Sequence, residues 1–87
     1  MNLAELRSYC VANLKADKKE IRNTECKNKA YFKGRLDQWG WIISKIDSEL
    51  DLDIIKEIIL YDIEMNPNRC VYDNGQYDVA ILCKGVF

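Results

Sequence analysis

Four cysteines are the most chemically versatile side chains of this 87-residue chain, and they lie far apart in the sequence. They are Cys10, Cys26, Cys70 and Cys83, and none belongs to a C-x-x-C pair. Zinc sites usually draw ligands from close pairs of cysteine or histidine, and the chain has no histidine. We therefore expect free thiols, buried mostly as small apolar side chains, and no metal site. A thiol redox sensor remains an alternative.

Paired carboxylates could supply acid–base chemistry, and Asp51 with Asp53 is the clearest pair. Both stand where a helix would begin, so capping explains them without catalysis. A cation gathered by Asp47, Asp51 and Asp62 would lack the calcium-loop spacing and its central glycine. The chain has no P-loop, dinucleotide-binding or nucleophile-elbow motif, and without histidine the commonest general base is missing. The sequence predicts no enzyme, no catalytic residue and no cofactor.

Positive charge is concentrated between residues 15 and 35, which raises nucleic-acid binding as a function. Residues 1–45 carry ten Lys/Arg and five Asp/Glu, whereas residues 46–87 carry three and nine. The candidate contacts are Lys18, Lys19, Arg22 and Lys29. Acidic residues interrupt this stretch, Glu25 has the spacing to pair with Lys29 on a helix, and the net charge is −1. Nucleic-acid binding is therefore the alternative rather than the first hypothesis.

Two tryptophans two residues apart give the best indication of a protein partner. On a helix Trp39 and Trp41 point to nearly opposite faces, and Trp39 fits an apolar seam that belongs in the core. Either another part of the chain covers Trp41 or a second protein does, since tryptophan is enriched among interface anchors. The partner could be a larger protein or a second copy in a two-fold homodimer. The candidate partner-binding residues are Trp41, Gly34, Tyr31 and Lys45.

The acidic stretch from Asp47 to Glu64 is a second candidate surface. It could occupy a basic nucleic-acid channel of a larger protein, in the manner of an anti-defence inhibitor from a phage or another mobile element. Electrostatic complementarity of this kind predicts a binding rate that falls with salt. The candidate residues are Asp47, Asp51, Asp53 and Glu57.

The elements that must position these residues are mainly helical, because the chain has one proline and four glycines. Asn2 and Glu5 have the spacing of a capping box and open a helix over residues 2–15. Its apolar stripe is Leu3, Leu6, Cys10 and Leu14. Asp17-Lys-Lys-Glu20 resembles a second helix start, so we place a break near Ala16.

Two further helices follow in the prediction. A long central helix over residues 18–48 carries a heptad-like seam formed by Phe32, Leu36, Trp39, Ile43, Ile46 and Leu50. A third helix over residues 52–65 begins near Asp51 or Asp53 and ends before Pro67, because the residue before a proline avoids the helical region. Its predicted core seam is Ile54, Ile58, Tyr61 and Met65, flanked by Ile55, Ile59 and Ile63.

The C-terminal part predicts a β-hairpin over residues 69–83. Asn74-Gly75 between alternating residues is a strong signal for a two-residue turn, since both turn positions need positive φ. In that register Tyr72 pairs with Tyr77 and Cys70 pairs with Val79.

The sequence thus predicts one domain over residues 1–87, mainly α with a hairpin (α+β). No apolar stretch approaches the ~20 residues that a bilayer requires, and the N-terminus has no signal-like core. We therefore expect a cytoplasmic protein with no membrane contact. The favoured function is non-enzymatic binding that regulates or inhibits a larger protein.

Overall fold

The computed structural model describes residues 1–23 and 26–87. Over these residues the chain forms four α-helices and no β-strand. The helices are α1 (Leu3–Arg22), α2 (Lys29–Asp47), α3 (Leu52–Met65) and α4 (Val71–Val86). The predicted mixed fold is therefore wrong, and the described chain is an all-α bundle.

The first helix begins where the capping box predicts it. The Asn2 side chain accepts a hydrogen bond from the Glu5 N–H (2.8 Å), and the Glu5 carboxylate accepts one from the Asn2 N–H (3.2 Å). The predicted break near Ala16 is wrong, because the helix continues to Arg22. Asp17 continues the inward-facing stripe and is buried, so it is an interior residue of α1 rather than the start of another helix.

The predicted helix over residues 18–48 is wrong in its first part. Its first residues belong to α1, residues 26–28 are not helical, and α2 begins only at Lys29. At its other end α2 stops at Asp47, close to the prediction, and Glu49 follows with a positive φ of 65°. The predicted pairing of Glu25 with Lys29 lies outside the described residues.

The bounds of α3 match the prediction, but its buried face does not. Asp51 is the N-cap, and its side chain accepts a hydrogen bond from the Ile54 N–H (3.0 Å). The core takes Ile55 and Ile59, which were predicted only to flank the seam. The predicted seam points outward, with Ile54, Tyr61 and Met65 all exposed.

The segment predicted as a hairpin is the helix α4, and Gly75 is an interior helical residue with a negative φ. Tyr72, Gly75, Val79 and Cys83 follow one another at steps of three and four, the spacing of a helical stripe. Val79 and Cys83 are buried in the core. The helix is more stable than the predicted hairpin because a lone hairpin is marginal in water, whereas the helical stripe packs along α2.

The crossing of α2 and α4 is built on two glycines. A Cβ atom at Gly34 would lie 2.1 Å from the Tyr72 carbonyl oxygen, and a Cβ at Gly75 would lie 2.1 Å from the Tyr31 carbonyl oxygen. Each glycine therefore admits the backbone of the opposite helix. This close approach offsets the cost of about 1 kcal/mol for glycine within a helix.

One hydrophobic core joins the four described helices. Trp39 lies at its centre, fully buried, with its ring edge-on to Tyr9 at a centroid distance of 5.8 Å. The other buried apolar residues are Leu6, Cys10, Ile42, Ile46, Ile55, Ile59, Val79, Ala80 and Cys83. Among the described residues, no helix combines the length and apolar character needed to cross a bilayer.

Candidate protein-docking surface

Trp41 stands at the edge of an apolar groove between α2 and α3. Its side chain is 36% exposed, and the groove beside it has a volume of about 510 Å³. The groove is lined by Trp41, Lys45, Ile54, Glu57, Ile58, Tyr61 and Asp62. Within this groove apolar side chains form the walls, and the charged groups stand among them.

The groove exists because α3 is apolar on two sides. Ile55 and Ile59 face the core, whereas Ile54, Ile58 and Tyr61 follow one another at helical steps of four and three along the other side. α3 packs chiefly on α4 and meets α2 over a shorter stretch. The second apolar side of α3 therefore faces the groove, and no described residue covers it fully.

The Trp41 side chain is contacted by Lys45 of the same helix. The Lys45 ammonium lies over the indole ring at 5.2 Å from its centroid, one turn further along α2. This cation–π contact keeps one face of the ring beside a positive charge. Trp41 and Lys45, two of the four predicted partner-binding residues, therefore lie together at the groove.

A second cleft, more polar than the first, adjoins Trp41 and has a volume of about 460 Å³. Both cavities are bordered by Trp41 and Asp62, so the indole separates an apolar groove from a polar cleft. The cleft is lined by Asp37, Gln38, Trp41, Asp62, Met65, Asn66, Pro67 and Gln76. The charged side chains among these described lining residues are Asp37 and Asp62, and both are acidic.

The two carboxylates of the polar cleft have opposite surroundings. Burial raises the pKa of Asp62, whose Oδ2 accepts a hydrogen bond from the Gln38 amide (2.9 Å). The Tyr72 hydroxyl donates to Asp37 and lowers the pKa of that carboxyl, with help from Lys33 at 3.2 Å. The same hydrogen bond raises the pKa of Tyr72 to about 12. Asp37 is thus already neutralised in part by the chain, and Asp62 much less so.

The α3–α4 connection closes the far end of the cleft. The Asn66 side chain accepts from the Asn68 N–H (2.8 Å) and donates to the Asp73 carbonyl (3.1 Å). Asn68 has a left-handed φ of 54°, and the Asp73 carboxylate accepts from the Arg69 N–H (3.1 Å). This bonding holds Pro67 in position against the cleft.

The other two predicted partner-binding residues are placed inside the bundle. Gly34 is buried against α4 at the helix crossing. The Tyr31 hydroxyl donates to Asp78 on α4 and accepts from Arg35 (3.3 Å), and burial raises the pKa of Tyr31. Both residues therefore join α2 to α4 rather than form part of the groove around Trp41.

A buried ionic network continues from Tyr31 towards α1. Asp17, on α1, accepts two hydrogen bonds with its Oδ2 atom, from Arg35 Nε (2.9 Å) and from the Trp39 indole N–H (2.8 Å). No role for Asp17 in the core follows from residue type alone. Its position three residues after Leu14, on the apolar stripe of α1, is the signal that marks it as an inward-facing residue.

The predicted acidic surface is divided among several roles. Asp47 forms two hydrogen bonds with Arg7 on α1 (2.8 and 3.1 Å), and Asp51 caps α3. Asp53 is exposed in the first turn of α3, where a carboxylate is favoured by the helix dipole. Glu57 lines the apolar groove. Because Asp47 and Asp51 already have hydrogen-bond partners within the chain, the four carboxylates do not form one free acidic surface.

The predicted nucleic-acid contacts lie at the ends of two helices. Lys18, Lys19 and Arg22 are exposed at the end of α1, and Lys29 is exposed at the start of α2. Cations near the C-terminal end of a helix stabilise it, which accounts for the residues of α1.

The four cysteines are free thiols in the described structure. Cys10 and Cys83 are buried side by side, and the Cys83 thiol donates to Cys10, which together with burial raises the pKa of Cys83. Cys26 is half-buried and Cys70 is exposed. Within the described ranges no three potential ligands among Cys, Asp and Glu come together as a metal site.

Comparison of the chain with family models, curated proteins and solved structures finds no match.

Proposed function

We propose that this protein binds a larger protein through the surface around Trp41 and regulates or inhibits it without catalysing a reaction. The observation that carries the proposal is the second apolar side of α3, which meets the exposed indole of Trp41 across an open groove. We place this activity in the cytoplasm.

The composition of the surface supports a docking role. Tyr61 is 61% exposed and Met65 58%, and both share one side of α3 with Ile54 and Ile58. Contiguous apolar surface with a polar rim is typical of interaction sites, and tryptophan and tyrosine are the residue types most often found as energetic anchors. A small domain would gain stability by burying these side chains internally, so their exposure favours a role in binding.

Structural roles for the reactive groups support a non-enzymatic protein. Asp17 is bound by Arg35 and Trp39, and Cys10 is buried beside Cys83. Asp37, in the polar cleft, accepts a hydrogen bond from Tyr72 and forms a salt bridge with Lys33. Each of these groups therefore has a role in stabilising the fold, and none of them requires a catalytic role to account for its position.

Site-specific crosslinking tests the docking surface. Tyr61 is replaced by the photo-crosslinking residue p-benzoylphenylalanine in the full chain, which is then illuminated in a bacterial lysate. The control carries the same residue at Leu82, an exposed position on α4 outside the groove. We expect one protein to be crosslinked from residue 61, not from residue 82, and to be lost when Trp41→Ala is added. Equal crosslinking from both positions contradicts the proposal.

Two other occupants give distinct results, the first in the crosslinking experiment and the second in a pull-down with the native chain. A crosslinked product of twice the chain mass identifies a homodimer formed through this face. Nucleic acid retained by the native chain and released by the combined changes Lys18→Glu, Lys19→Glu and Arg22→Glu would move binding to the end of α1. That result, with no dependence on Trp41, would replace the docking proposal.

A further inference from the structure

The two cavities that meet at Trp41 specify the chemistry of what docks there. Resting on the docking proposal, we infer that the partner presents an arginine to the polar cleft, next to an apolar side chain that enters the groove. The indole of Trp41 stands between these two positions and contacts both.

The charge of the polar cleft selects a cation. Its lining holds two carboxylates, three neutral amides and no cationic side chain among the described residues. Lys33 reaches Asp37 from outside that lining and partly neutralises it. Asp62 is the carboxylate on which an incoming positive charge has the larger effect.

Asp62 is prepared for such a partner by its surroundings. Gln38 fixes its Oδ2 atom, and its Oδ1 atom accepts no hydrogen bond from the described residues. Its carboxylate is also partly withdrawn from water, which is why burial raises its pKa. A charge-assisted hydrogen bond to the second oxygen would compensate for that lost hydration, and such bonds are stronger than neutral ones.

Arginine fits the cleft better than lysine for a geometric reason. Its planar guanidinium can donate to a carboxylate while stacking on an aromatic ring, whereas an ammonium acts as a compact point charge. Asp62 and Trp41 border the same cleft and offer these two kinds of contact. The neighbouring groove, bordered by Ile54 and Ile58, then receives the apolar side chain beside that arginine.

Two small molecules that differ at one heavy atom of the side-chain head group, and therefore in charge, make a sharp test. N-acetyl-arginine amide and its uncharged isostere N-acetyl-citrulline amide are each titrated into ¹⁵N-labelled protein, and amide chemical shifts are followed. We expect the arginine compound alone to shift the signals of Gln38, Asp62 and Gln76. Asp62→Asn should weaken this binding roughly tenfold, because it removes the charge that a guanidinium pairs with.

Asp62→Asn is a conservative change, since the asparagine oxygen can still accept the Gln38 hydrogen bond. Glu57→Gln is the matched control: it removes a carboxylate of the same helix that lines the apolar groove instead. Equal shifts with arginine and citrulline compounds, or an unchanged affinity in Asp62→Asn, would overturn the arginine site. So would the absence of a localised shift.

The crosslinking experiment separates this result from the docking proposal. A partner captured through residue 61 and Trp41 that binds Asp62→Asn as tightly as the native chain overturns the arginine site and leaves docking intact. Arginine binding in the cleft without any Trp41-dependent crosslink supports the cation site and contradicts the docking role.

Discussion

Gly34 on α2 lies so close to Tyr72 on α4 that a methyl group at residue 34 would overlap the Tyr72 carbonyl oxygen. Gly75 repeats this relationship in the opposite direction, against Tyr31. The two helices therefore meet backbone to backbone. That contact positions α4, and with it Asp78 and Gln76, relative to α2.

Alanine at either crossing glycine should destabilise the fold. The obstructing atoms are backbone, so the helices must separate, and overpacking of this kind costs about 1–3 kcal/mol even after side chains adjust. We expect Gly34→Ala and Gly75→Ala each to lower the free energy of unfolding, measured by urea denaturation, by about 2 kcal/mol.

Gly40→Ala is the control for this prediction. Gly40 lies on the same helix, and apart from its chain neighbours and the adjacent backbone of α2, no atom of the described residues comes within 4 Å of a Cβ built there. Alanine there should stabilise the protein by about 0.5–1 kcal/mol through helix propensity. A gain in stability from Gly34→Ala would mean that the α2–α4 crossing is more open than described.

Asp17 should be energetically coupled to Arg35. Both side chains are largely buried, and removing one partner of such a pair leaves an uncompensated charge that costs about 3–5 kcal/mol. We expect Asp17→Ala to lower the free energy of unfolding by about 3 kcal/mol. Arg35→Met should cost much less in the Asp17→Ala background than in the native chain, and a double-mutant cycle measures the difference. Additive costs would contradict the coupling.

The two tryptophans should respond to substitution in opposite ways. Trp39→Ala removes the centre of the core and the donor to Asp17, so a loss of about 3–5 kcal/mol is expected. Trp41→Ala removes a partly exposed side chain, and we expect a loss below about 1 kcal/mol, with helical circular dichroism unchanged. Because Trp41 is partly exposed and Trp39 is fully buried, acrylamide should quench the fluorescence of Trp41 more strongly than that of Trp39. Comparable losses from both changes would place Trp41 in the core.

The two carboxylates of the polar cleft should give opposite pH dependences. The pKa of Asp62 is raised, so its contribution to stability is present below the ordinary value of 3.8 and is lost as pH rises through its folded pKa. Asp62→Asn should therefore be more stable than the native chain at neutral pH, and the difference should shrink in acid.

Asp37 should behave in the opposite sense. Its pKa is lowered, so its contribution is present above 3.8 and is lost as pH falls through the folded pKa. Asp37→Asn should be less stable than the native chain at neutral pH, with the difference shrinking in acid. Urea denaturation of both variants at neutral and acidic pH measures the signs, and the same sign for both would contradict the described surroundings.

The thiols should react with an alkylating reagent in the order of their exposure. Cys70 is exposed and should be labelled by iodoacetamide first, and Cys26 should follow. Cys10 and Cys83 are buried, so their labelling requires opening of the bundle and should track the free energy of unfolding. Timed alkylation with peptide mapping measures the order. Rapid labelling of Cys10 in the native protein would revive the redox-sensor hypothesis.

The parts of the fold that could be predicted from sequence are those fixed by neighbouring residues. The start of α1 follows from the reciprocal hydrogen bonds of Asn2 and Glu5, and the start of α3 follows from the Asp51 cap. The end of α3 follows from Pro67. Each of these features depends on residues within three or four positions of one another, so their spacing is sufficient evidence.

The fourth helix could not be decided in that way. Asn74-Gly75 suits a tight turn, but the residues around it also fit a helical stripe, and both patterns are present in the same letters. The helix is favoured over the hairpin by a contact with Gly34, which is distant in sequence and provides the surface that α4 packs against. The sequence places Gly34 and Tyr31 with Trp41 among the candidate partner contacts, whereas in the fold α4 packs against both.

The candidate site was predicted in part for a similar reason. Trp41 and Lys45 were identified correctly as neighbours, since they are one turn apart on a single helix. The opposite wall of the groove was missed, because α3 is apolar on both sides and periodicity alone does not tell which side faces the core. Only the packing of Ile55 and Ile59 against the core distinguishes them.

The shorter contact of α3 with α2 has a consequence for local opening. A helix that is anchored mainly on one neighbour can detach by a sub-global fluctuation, and its amide hydrogens then exchange with solvent before those of the bundle as a whole. A ligand seated between Trp41 and Tyr61 would bridge α2 and α3 and slow that exchange. The groove would then report its own occupancy through the protection of α3, along a helix that extends well beyond the residues touched.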